Sequence, residues 1–88
     1  MTIKDIFTAV SKGQAWMVKN RETGNNTYGQ IANQEFAKLS GLIEPRVTDG
    51  IGGQIWSDFQ GKKMYSEMSY KQAWCIAFAF AKLNGINN

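Results

Sequence analysis

At 88 residues the chain has room for a single domain (1–88) with a modest core, and so little stability in reserve. Hydrophobic residues make up 43% and charged residues 19%, the balance of a folded domain, and a net charge of +3 suits nucleic acid without demanding it. One cysteine, Cys75, and no histidine exclude an internal disulfide, a thiolate or histidine metal site, and serine–histidine or cysteine–histidine nucleophile pairs.

The first helix starts at Thr2, whose hydroxyl can cap it, with Asp5 three residues on as the return half of a capping box. Residues 1–5 lack the basic start and apolar run of a signal peptide. Ile3, Ile6, Phe7 and Val10 follow one helical face, and Gly13 fits the position just past the helix end. Residues 14–19 read as a short strand, with Trp16 and Val18 on one side and Ala15 and Met17 on the other. Residues 20–26 carry turn chemistry.

A second helix opens at Thr27, with Gln30 completing a capping box. Tyr28, Ile31, Ala32, Phe36 and Leu39 form its stripe, a break falls near Asn33, and Gly41 ends it. Pro45 suits the first turn of a third helix, where its missing N–H costs nothing. Val47, Ile51, Ile55 and Phe59 recur every four residues along it. Gly50, Gly52 and Gly53 each weaken a helix by about 1 kcal/mol, so it stops near Gly52. Residues 54–68 read either as more helix or as a hairpin turning at Gly61 and Lys62.

The last helix is bounded at both ends. Ser69 and Gln72 make a capping box, and Asn84 with Gly85 closes it. Trp74, Ala77, Phe78 and Ala81 line one face, and Ile76, Phe80 and Leu83 another. Such a helix is either central to the core or buries one face in a partner, so Trp74, Phe78, Ile76 and Phe80 are candidates for core or homodimer contacts. Its apolar run, from Ala73 to Ala81, is the longest in the chain and falls well short of the about twenty residues a membrane span needs.

Residues 33–52 carry a small residue at Ala37, a glycine at Gly41 and an apolar residue at Val47. This triplet resembles the helix-turn-helix of phage repressors and related small bacterial regulators. The resemblance implies that Ala37 lets a second helix cross close above it, that Gly41 makes the sharp turn in the left-handed region, and that Val47 points back between the two helices. Phe36, Leu42 and Ile51 would add apolar contacts. Two positions depart from the pattern: Ser40 and Gly50 stand where larger apolar residues are usual. In such proteins the second helix reads the major groove. Carried over, Glu44, Arg46, Thr48 and Asp49 face the groove, Arg46 and Thr48 contact bases or phosphate, Gln34 lies against the backbone, and Lys38 is a further DNA-binding candidate. Lys62 and Lys63 would grip phosphates from the tip of a wing.

The charge pattern pulls the other way. From residue 33 to 61 two basic residues, Lys38 and Arg46, stand against Glu35, Glu44, Asp49 and Asp58, whereas tight DNA binding rests on phosphate neutralisation. The glycines at 50, 52 and 53 lack the lysine and hydroxyl of a phosphate loop and suit a turn or close helix packing instead. Trp56, Phe59 and Tyr65, near the lysine pair, could stack on single-stranded bases but more commonly fill a core.

The sequence therefore predicts a mainly α fold with a small β component: a helix-turn-helix core, with a winged form as a variant, and a C-terminal apolar helix. It predicts a cytoplasmic, non-enzymatic protein without cofactor or metal. The expected role is a small regulator of phage or mobile-element type that binds double-stranded DNA as a dimer. The alternative is an accessory factor or inhibitor that docks on a host protein through the acidic face.

Overall fold

The computed structural model describes residues 1–58 and 68–88, and the described residues form five helices with no strand. They are α1 (Ile3–Thr23), α2 (Asn26–Ala37), α3 (Pro45–Thr48), α4 (Gly50–Asp58) and α5 (Tyr70–Leu83). The mainly helical expectation holds, and the small β component is absent from the described residues. Residues 59–67, including Lys62, Lys63 and the proposed hairpin turn, lie outside them.

The strand expected at 14–19 is the second half of α1. Ile6, Ala9, Val10, Gly13, Gln14 and Met17 are all buried, at the three- and four-residue spacing of one helical face. Alternation over six residues cannot by itself separate strand from helix, and the longer period wins. Gly13 does not end the helix. A Cβ there would collide with the Phe36 ring, so this glycine is the notch into which α2 packs. The capping box at the start of α1 is formed in both directions: Asp5 N–H donates to the Thr2 hydroxyl at 3.1 Å, and Thr2 N–H to the Asp5 carboxylate at 2.8 Å. Gly24, at φ 69°, closes the helix in the left-handed region.

Helix α2 begins two residues earlier than expected. Asn25, not Thr27, caps it, accepting from Thr27 N–H at 3.0 Å. It runs through Asn33 without a break and ends at Ala37, after which residues 38–42 wind through tight turns to Gly41 at φ 93°. The following loop is pinned by Asn84. Its side-chain oxygen accepts from Ile43 N–H at 3.0 Å, and its amide donates to the Phe80 carbonyl at 2.8 Å.

Pro45 opens α3 as expected, but that helix lasts four residues. Asp49 is extended, at φ −122° and ψ 141°, and its carboxylate accepts from Gly50 N–H at 3.0 Å directly ahead of α4. The break resets the helical phase. The buried positions of α4 are Gly53 and Trp56, while Val47 and Ile51 face solvent. The glycines expected to stop the helix instead permit close packing: a Cβ on Gly52 would run into Ala79, and one on Gly53 into the Pro45 carbonyl. Residues 54–58 are helical, which corrects the hairpin alternative there.

Helix α5 matches its expected bounds, with Ser69 and Gln72 bonded in both directions. Its Ile76, Ala77, Phe80 and Ala81 meet Ile6, Ala9 and Val10 of α1, together with Leu39 and Trp56, in one core. Burial of these side chains is the main source of stability, at about 25 cal/mol per Å² of apolar surface.

Candidate functional site

Residues 33–52 are not assembled as two crossed helices. Helix α2 packs against α1, while α3 and α4 pack against each other and against α5, and no Cα of α2 lies within 8 Å of one in α3 or α4. The three residues that carried the resemblance part company. Gly41 has the expected positive φ, but Ala37 is exposed with neither α3 nor α4 crossing above it, and Val47 is 71% exposed rather than packed between helices. Ile51, expected inside, is 80% exposed. Phe36 and Leu42 do pack against the core.

The groove-reading candidates are scattered over the turn and α3. Gln34 and Lys38 are exposed on and just beyond α2, with the Lys38 ammonium 2.9 Å from the Glu35 carboxylate. Arg46 and Thr48 are exposed on α3, and Arg46 Nε lies 2.6 Å from the Glu44 carboxylate. Asp49 is half-buried at the helix break, 3.8 Å from the Lys82 ammonium. Solvated pairs like these contribute little to stability, and they mute the acidic character read from the sequence.

The four residues expected on α5 separate into two roles. Ile76 and Phe80 are core, 0% and 2% exposed. Trp74 is half-buried and stacks on Phe7 of α1 with ring centroids 4.2 Å apart and planes at 12°. Phe78 is 55% exposed, with its ring centroid 5.6 Å from that of Trp74. Tyr70, one turn before Trp74, is 73% exposed and sets its edge against both Phe7 and Trp74.

Two of the exposed apolar side chains, Ile51 and Phe78, line one groove, while Met1, Ile43, Val47 and Tyr70 are exposed outside its lining. Phe78 and Cys75 of α5 share a groove of about 460 Å³ with Ile51 and Gly52 of α4, with Asp49 and Lys82 at its edge. Val47 is exposed on the neighbouring α3. A second hollow of about 400 Å³ lies between Phe36, Leu39, Leu42, Trp56 and Phe80, with Glu44 at its edge.

One arrangement escaped the sequence reading. The rings of Trp16 and Tyr28 stack 5.5 Å apart, with the Lys19 ammonium 5.5 Å from one centroid and 4.9 Å from the other. Reading residues 14–19 as a strand hid it, because only a helix sets Lys19 one turn above Trp16. The cation–π contact clips α2 to α1.

Among the described residues no three Cys, Asp or Glu side chains gather to hold a metal ion, and no helix is long and apolar enough to cross a membrane. No family model, curated protein or solved structure matches the chain.

Proposed function

We propose that the protein is a small non-catalytic protein-binding module, an accessory factor or inhibitor, that docks through α3, the start of α4 and the outer side of α5. One observation carries this reading. Val47, Ile51 and Phe78 are 71%, 80% and 55% exposed in a chain short enough to need its apolar residues for its own core. Clustered apolar surface with a charged margin is what protein contact surfaces present. Here the margin is Glu44, Arg46, Asp49 and Lys82. The absence of histidine and the single cysteine weigh against catalysis and favour work in a reducing compartment.

The test is comparative capture from the source cell. Immobilised protein should retain a partner that the Ile51→Asp/Phe78→Asp variant loses, with both chains equally helical by circular dichroism. Identical retention by the two would overturn the reading.

DNA binding remains the second reading, favoured by the exposure of Arg46 and Thr48 on α3 and of Lys4, Lys12 and Lys19 along α1. Titration with random-sequence duplex at low and physiological salt separates the two. Micromolar binding that weakens steeply with salt supports a phosphate-contacting surface, and no binding at low salt removes it.

A further inference from the structure

Helix α5 carries Lys71, Cys75, Phe78 and Lys82 at spacings of four, three and four residues, which set the four side chains in one row. Lys71, Phe78 and Lys82 are exposed and Cys75 is half-buried. At 1.5 Å per residue the two lysines leave the helix about 16 Å apart along its axis. The middle of the row opens into the groove shared with Ile51. Gly52 makes that groove, since its missing Cβ lets the start of α4 lie directly on Ala79. The surface thus reads basic, apolar, basic along α5, with Ile51 as an apolar shoulder.

Resting on the protein-binding reading above, we infer that the partner presents an amphipathic segment, apolar in its middle and acidic at both ends, which lies along this row. Its carboxylates meet Lys71 and Lys82, and its apolar side chains enter between Phe78 and Ile51. The charge pattern selects this occupant over the others. A second copy of the chain is disfavoured, because pairing α5 with itself sets Lys71 against Lys82 when antiparallel and each lysine against its own counterpart when parallel. Duplex DNA is disfavoured, because the ground between the lysines is apolar and offers a phosphate backbone nothing to contact there. Asp49, 3.8 Å from Lys82, leaves that side chain 76% exposed, open to a second carboxylate.

The test pans the purified full chain against a displayed library of random peptides, each long enough for roughly four helical turns. Lys71→Glu/Lys82→Glu and Phe78→Asp variants are panned in parallel. Peptides enriched on the wild type should carry Asp or Glu on both sides of apolar positions and lose about tenfold or more in affinity for Phe78→Asp. The double charge reversal should enrich Lys- or Arg-flanked peptides instead. Phe78-dependent peptides without acidic flanks would overturn the partner chemistry and leave the protein-binding reading standing. Failure to enrich any Phe78-dependent peptide would overturn both. A dimer in sedimentation equilibrium that Phe78→Asp dissolves would overturn the inference in favour of a second copy.

Discussion

Helix α1 and the α3–α4 limb use their apolar residues in opposite ways. In α1, Ile6 and Val10 are 0% exposed and Met17 is 9%, whereas in the limb Val47 and Ile51 are 71% and 80% exposed. Continuity separates them. Helix α1 runs 21 residues unbroken, so its 3.6-residue period stays in phase from Ile6 to Met17. The limb is interrupted at Asp49, and the restart turns Gly52, Gly53 and Trp56 toward α3 and α5 while Ile51 swings outward. One extended residue thus converts what would be core side chains into surface.

The sharpest way to break this comparison is to shorten one isoleucine on each side of it. Ile76, on α5 and enclosed in the core it shares with α1, should lose about 2–5 kcal/mol on Ile76→Ala, from lost transfer energy and the cavity left behind. Ile51→Ser should stay within about 0.5 kcal/mol of wild type, because that side chain is 80% exposed. Urea unfolding of both variants measures the gap. Comparable losses would mean that Ile51 is covered in the isolated chain and that the proposed docking face is already occupied.

A smaller effect separates two glycines within the limb. A Cβ on Gly53 would strike the Pro45 carbonyl, which is backbone and cannot swing aside. Gly53→Ala should therefore cost about 1–3 kcal/mol. Gly50, three residues earlier, has nothing within 4 Å of its would-be Cβ, and its φ is not positive. Gly50→Ala should be neutral or stabilise by about 0.4–1 kcal/mol through the unfolded chain. The same unfolding experiment reads both, and a costly Gly50→Ala would refute the open packing around Ile51.

These contrasts also explain what could be read from the residues alone. Helix α5 was legible from end to end because caps and periodicity agree there: Ser69 and Gln72 at one end, Asn84 and Gly85 at the other. Helix α1 was half legible. Gly13 looked like a stop, and only the Phe36 ring, 23 residues away in sequence, gives it another purpose. Residues 45–58 misled because their four-residue repeat of apolar side chains runs straight across Asp49, where the helix breaks, and their glycines point to a stop near Gly52 instead. The exposed apolar groove between α4 and α5 is the least legible part. The sequence marks Phe78 as a core or dimer candidate, whereas the helix-turn-helix resemblance places its groove partner Ile51 in the interior.

The smallest effect concerns two capping boxes of the same design and different chemistry. At α1 the returning side chain is the carboxylate of Asp5; at α5 it is the amide of Gln72. Asp5 lies below the ordinary aspartate range, first because Thr2 N–H donates to the carboxylate and then because the Thr2 side chain adds its own bond. A group depressed in the folded state stabilises above its unfolded pKa of about 3.9, and that contribution fades as pH falls through the lower folded value. The first turn of α1 should therefore fray in acid while that of α5 does not. Amide exchange, followed at Asp5 and Gln72 across the acid range, should show protection falling at Asp5 alone. Asp5→Asn should make the two ends behave alike, since neither box would then carry a titrating group. Parallel loss of protection at Gln72 would instead mean that acid loosens the shared α1–α5 core, with the caps merely following it.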